Sequence, residues 1–231
     1  MASQYRISAH PINFRRATAA VLLLGLAAVL AWDFGGHDLA LARLWGSPTG
    51  FVWRDHPAFV FWMHEVPRWA SWAVVLWLWV GVLWPTGIQR RLPRARRLWW
   101  AGVTLLSVLL ISVIKNRSHT SCPWDLAEFG GVARHVSHWA LGIVDGGAGR
   151  CFPAGHAAAG FAHLAGYFAL RGHAPRAARW WLAGTLVAGV SLGLAQQVRG
   201  AHHLSHTLWT AWLCAALAGA CALMLRPRDR S

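Results

Sequence analysis

Six runs of apolar residues, each close to the length that crosses a bilayer, limit what this chain can become. They fall at about 17–32, 68–85, 98–114, 156–170, 180–198 and 205–225 of 231 residues. A helix needs about 20 mainly apolar residues to traverse a hydrocarbon core of about 30 Å. Inside that core a segment must satisfy its own backbone hydrogen bonds, which favours helices. The apolar residues are grouped in these runs, not spread in amphipathic stripes, and only 13% of the chain is charged. The sequence therefore predicts an all-α integral membrane bundle of six transmembrane helices, one domain over 1–231. Residues 33–67 hold shorter apolar pieces, such as "HPAFVFWMHEV", that suit an interfacial helix in the first outer loop.

The placement of arginine orients the bundle. Arg6, Arg15 and Arg16 precede the first run. Arg90, Arg91, Arg94, Arg96 and Arg97 fill the 86–97 loop, Arg171, Arg176 and Arg179 the 171–179 loop, and Arg226, Arg228 and Arg230 the tail. With six spans all four segments share one side, and that side should be cytoplasmic, giving N-in and C-in. A cleaved signal peptide at the first run would leave an odd number of spans and a worse charge pattern, so that run reads as a retained anchor. Trp84, Trp99, Trp100, Trp180 and Trp181 at span ends suit the interfacial belt. The net charge of +14 thus records orientation and anionic headgroups. No basic–aromatic groove pattern accompanies it, so nucleic acid is not an expected partner and membrane lipids are.

This topology gathers polar residues on the outer face, in the loops 33–67, 115–155 and 199–204. Lys115 (the only lysine), Arg117, His119, His156, Arg199, His202, His203 and His206 lie at or beside span ends there. Cations and imidazoles converging at a membrane surface suit an anionic headgroup, above all phosphate.

The order of these pieces resembles the type 2 phosphatidic acid phosphatase superfamily, membrane lipid phosphatases related in fold to vanadium haloperoxidases. Its three motifs are Lys-x6-Arg-Pro, Pro-Ser-Gly-His and Ser-Arg-x5-His-x3-Asp. The first aligns with Lys115 through Cys122-Pro123, the second with Pro153-Ala154-Gly155-His156, and the third with Gly200-Ala201-His202 and His206. The phosphatase-like core covers about 98–225. Cys122 and Gln196 stand where the family has arginine, Ala154 where it has serine, and His206 where it has aspartate.

The resemblance implies hydrolysis of a phosphate monoester or pyrophosphate on a lipid, independent of metal and without a cofactor. His202 would be the nucleophile, passing through a phosphohistidine, and His156 the general acid. A nucleophilic histidine needs its other ring nitrogen held. His206, one helical turn on, is the candidate acceptor, and Asp125 and Asp145 are candidates for the missing carboxylate. Lys115 and Arg199 would bind phosphate charge, with the Gly155 amide beside a helix N-terminus. Arg117, His119 and Arg150 are candidate substitutes for the arginine lost at Cys122. Cys122 and Cys151 share the outer loop, where an oxidising compartment would allow a disulfide; Cys214 and Cys221 read as free thiols within the last span.

The expected setting is a bacterial inner membrane with the site facing the periplasm. Phosphatidic acid, phosphatidylglycerol phosphate, undecaprenyl pyrophosphate and lipid A phosphates are all candidate substrates. Transfer to another hydroxyl would use the same phosphoenzyme. Two other classes remain open. His202, His203 and His206, with His119 or His156, form a possible metal or haem set (His163 is the one other deep histidine), and a catalytically inactive lipid-binding protein would also show lost motif positions. Asp55, His56, His64 and Glu65 in the 33–67 segment are candidates for shaping the headgroup entrance.

Overall fold

A computed structural model describes residues 11–224. Arg6, Arg226, Arg228 and Arg230 lie outside the described residues. The chain runs α1 (Pro11–Phe34), α2 (Asp38–Ala42), a hairpin of β1 (Gly46–Ser47) and β2 (Gly50–Phe51), α3 (Pro57–Val60), a π-helical turn (Phe61–Glu65) and α4 (Val66–Leu83). It continues through α5 (Arg94–Arg117), α6 (Ala158–Phe161), α7 (Ala165–Leu170), α8 (Pro175–Val198) and α9 (Leu204–Met224). The hairpin pairs Gly46 with Phe51 and Ser47 with Gly50.

Among the described residues, five helices are long and apolar enough to cross a membrane. The fourth expected run differs. It is a shorter apolar helix over Ala158–Leu170, in which the 3-10 turn Ala162–Leu164 separates α6 from α7. At 1.5 Å per residue such a segment reaches only about 20 Å, short of the hydrocarbon thickness.

The distribution of side chains is the reverse of that in a water-soluble bundle. Leu23, Leu24, Leu76, Val187 and Val190 face outward, each more than 55% exposed, whereas Thr104, Ser107, Thr210 and Gln196 are buried. Lipid tails cover apolar flanks without penalty, and small or polar residues let helices approach. Gly160 of α6 and Gly189 of α8 meet so closely that a Cβ on either would overlap the other helix. α1 packs on α9, α4 on α5, and α6 and α7 on α8. Trp100, fully buried, centres one core with Leu78, Val82, Ala165 and Leu170, and Ile111 and Phe161 anchor a second.

No separate interfacial helix forms over "HPAFVFWMHEV". His56 caps α3, its Nδ1 accepting from the Phe59 amide at 3.3 Å, and the helical path then runs through the π turn straight into α4. The apolar pieces of 33–67 are instead divided between this extension, α2 and a small outer core of Ala42, Phe51, Leu126, Phe129 and Ala133. Asp38 binds that segment to the last span, accepting from the amide and the hydroxyl of Ser205. Asp33 accepts from the indoles of Trp139 at 2.8 Å and Trp209 at 3.0 Å.

Candidate active site

The turn between α8 and α9 places His202. Gly200, with φ of +75°, takes the left-handed conformation that ends many helices. Its amide donates to Gln197 O at 2.8 Å, and that of Ala201 to Gln196 O at 2.8 Å. These are the paired bonds of a Schellman cap, and they turn Ala201, His202 and His203 back into the protein. All three are buried. The loop carrying His156 is tied to the same region, the Ala154 amide donating to His206 O at 3.1 Å and Thr210 Oγ1 to Ala154 O at 3.1 Å.

A cavity of about 380 Å³ opens where these pieces meet. Lys115, Gly155, His156, Arg199 and His202 all line it, with His64 and Arg68 from the second helical segment and an apolar wall of Trp72, Val75 and Val108. Residues 156 and 202 therefore share one chamber. A Cβ at Gly155 would lie 3.1 Å from Lys115 Cδ, so the missing side chain gives the lysine stem its path. The Arg199 guanidinium donates from Nε at 2.9 Å and Nη2 at 2.8 Å to Arg54 O, and from Nη1 at 3.1 Å to Gln196 Oε1. The residue at the family's second arginine position thus positions the arginine that follows it by three.

In the second segment, sequence reasoning named His64 and Glu65 only for the headgroup entrance and missed Arg68 and the Met63 carbonyl. Pro67 has no amide proton to give the carbonyl four residues earlier, that of Met63, which leaves that oxygen open to other donors. It accepts from His156 Nε2 at 3.1 Å and from Gln196 Nε2 at 3.4 Å. This fixes Nε2 of His156 as the protonated nitrogen and leaves Nδ1 as the basic one in the neutral ring. The His64 ring stacks on His156 at 4.4 Å. His64 Nδ1 bonds Glu65 Oε1 at 2.9 Å, and Arg68 pairs with Glu65 Oε2 at 2.9 Å. The readable signal was a proline four residues after Met63, with π turns frequent at functional sites.

Five candidates are placed elsewhere. Arg117 and His119 line a second cavity with His138 and Phe152, and not the first. Arg150 lines neither cavity. Asp125 accepts from the Cys122 amide at 3.3 Å. Asp145 accepts from the Ser121 amide at 2.6 Å and hydroxyl at 2.7 Å. Both carboxylates are engaged in their own loop and neither serves a histidine.

Cys122 and Cys151 are joined in a disulfide, and Cys214 and Cys221 are free thiols. Cys151 Sγ lies 3.5 Å from His202 Nδ1. The nitrogen expected to bond His206 thus faces sulfur; the His202 and His206 rings are 5.8 Å apart, and Nδ1 of His206, a fully buried side chain, has no hydrogen-bond partner. Cys151 Sγ and one nitrogen from each of His202 and His206 lie within 4.8 Å of one another. His203 and His138 complete a histidine layer around His206, and His138 Nε2 is 3.1 Å from Asp33.

Burial holds His156 down at about 4, with His64 adding to the effect and the bond to Met63 opposing it. Burial likewise holds His203 at about 4, against the pull of Asp38, and pushes His202 well below its usual value, with the Lys115 charge contributing. In the unfolded chain these imidazoles titrate near ~6.5. Below that pH the unfolded state takes up protons that the folded state refuses, so stability is fully present above ~6.5 and is lost as pH falls toward 4. The thermal midpoint in detergent should be lower at pH 5 than at pH 7.5. A midpoint unchanged between the two would contradict this assignment.

No curated protein and no solved structure is similar enough to the chain to count as a match. The family model of the PAP2 superfamily matches residues 97–230. That stretch begins in the first turn of α5 and includes Lys115, His156, Arg199 and His202, the residues that the fold brings to one chamber. Its members are phosphatases, which supports phosphoric ester hydrolysis in general. Covering more than half of the sequence and all of these side chains, the match shows that the chain belongs to the PAP2 superfamily.

Proposed function

We propose that the chain hydrolyses a phosphate monoester or pyrophosphate of a lipid, by way of a phosphohistidine, at the periplasmic face of a bacterial inner membrane. The bundle would have N-in, C-in topology, with Ala158–Leu170 as its short sixth membrane segment. The observation that carries this reading is the composition of the 380 Å³ cavity, which is lined by the imidazoles of His64, His156 and His202, by the cations Lys115, Arg199 and Arg68, and by the apolar Trp72, Val75 and Val108. Such walls suit a phosphate headgroup attached to an acyl or prenyl chain.

In the first step His202 attacks phosphorus through Nε2, the nitrogen left by the contact of Nδ1 with Cys151. The bond from phosphorus to the lipid oxygen breaks, and protonated His156 gives that oxygen its proton. A phosphate dianion beside His156 favours the imidazolium, which offsets its burial. In the second step neutral His156 takes a proton from water as the water oxygen attacks phosphorus, and inorganic phosphate leaves His202. Lys115 and Arg199 stabilise the charge on the transferring group. Arg68 supplies a cation in place of the arginine lost at Cys122, and Gly155 offers an amide at the same wall.

The test is phosphate release by the full chain in detergent, with a chelator present. Phosphatidic acid, phosphatidylglycerol phosphate, undecaprenyl pyrophosphate and lipid A would be compared with glycerol 3-phosphate. At least one lipid should turn over faster than the soluble ester. No release from any lipid, or release only after a divalent metal is restored, would reject the reading.

A further inference from the structure

The sulfur and the two imidazoles at the back of the chamber form a set with a second use. We propose that opening the Cys122–Cys151 disulfide converts Cys151, His202 and His206 into a site for zinc behind the cavity wall that His202 forms. A thiolate with two imidazoles is a donor set that zinc takes readily, and three protein ligands leave a tetrahedral ion one open position.

The geometry is close to what the ion needs. With Zn–S of about 2.3 Å and Zn–N of about 2.0–2.1 Å, a tetrahedral angle sets sulfur and nitrogen about 3.5 Å apart. Cys151 Sγ and His202 Nδ1 are 3.5 Å apart already, and all three donors fall within 4.8 Å. All three side chains are buried, and Nδ1 of His206 has no hydrogen-bond partner to give up. Lys115 lines the same cavity, and its charge opposes a dication there. The thiolate charge offsets it, which is why the site requires sulfur and not the imidazoles alone.

While the disulfide stands, Cys151 has no thiolate to offer. A phosphine reductant opens it: phosphorus takes oxygen from water to become the phosphine oxide, and each sulfur takes one hydrogen. Zinc then displaces the thiol proton of Cys151 to solvent. The metal site does not rest on the phosphatase reading. Its consequence does, because a zinc ion on Nδ1 of His202 keeps the ring proton on Nε2, which leaves the nucleophile no lone pair and would switch hydrolysis off in the reduced protein.

The experiment uses the full chain in detergent, incubated with zinc, passed through gel filtration and assayed for bound metal. About one zinc per chain is expected after phosphine reduction and none in the oxidised protein. Cys122→Ser, which leaves Cys151 unpaired, should bind without reductant. The double variant Cys122→Ser/Cys151→Ser should bind none, although it keeps the thiols of Cys214 and Cys221. Cobalt in place of zinc should add a sulfur-to-metal charge-transfer band in the reduced wild type. Reduced wild type carrying no more zinc than the double variant, or oxidised protein carrying as much as reduced, would overturn the proposal, whether or not the variants fold. Where zinc binds and no lipid phosphate is ever hydrolysed, the site stands and the phosphatase reading fails. Where both hold, zinc should stop release in the reduced protein and a chelator should restore it.

Discussion

His202→Ala is expected to lower kcat for phosphate release by about 10⁴-fold or more, the scale on which removing a covalent nucleophile acts. In the proposed mechanism the substitution takes away the nitrogen that receives phosphorus and leaves the substrate contacts assigned to Lys115 and Arg199, so KM should change much less. Quenching a reaction on radiolabelled lipid phosphate should trap an acid-labile, base-stable phosphoenzyme in the wild type and none in the variant. The measurement also separates neighbouring histidines. His206 is buried behind His202 and does not line the cavity, so His206→Ala should still form a phosphoenzyme. A label that persists in the His202 variant and vanishes in the His206 variant would assign the nucleophile to the wrong ring.

Lys115→Met should reduce kcat/KM by about 10²–10³-fold, the usual cost of one charge stabiliser in a water-poor site. Methionine keeps an unbranched stem against Gly155 and removes only the charge, so the thermal midpoint should stay near that of the wild type. Arg117→Met is the matched comparison. Arg117 is two residues further along α5, which turns its side chain about 200° around the helix axis, and it lines the other cavity. Its kcat/KM should stay within about twofold. Equal losses in the two variants would mean that general surface charge, and not a placed lysine, draws the substrate.

The same 200° shows how far a sequence can be read. Lys115 and Arg117 both sit at the C-terminal end of α5, and sequence position alone groups them. Which of them faces the chamber depends on the rotation of α5, and that is set by packing against α4 and α9. Arg199 was legible because it follows Gln196 by three residues on one helix face, and the two side chains are hydrogen-bonded. His64 was legible only as a candidate for the headgroup entrance, and Arg68 not at all, because it falls inside an expected span and only packing shows that this span lines the cavity.

By itself the sequence determined the membrane class, the family and most of the polar residues that line the cavity. Runs of apolar residues have a length that marks the class, and Lys115, His156, Arg199 and His202 were marked by their motif spacing. Only the tertiary structure decided which neighbour each of those residues meets. It placed Lys115 and Arg199 in one chamber and Arg117 in another, left one expected span as a short broken helix, and set the Cys151 sulfur, not His206, against Nδ1 of His202. Helix rotation and loop path follow from how side chains fill the space between elements distant in sequence, and no local pattern encodes them.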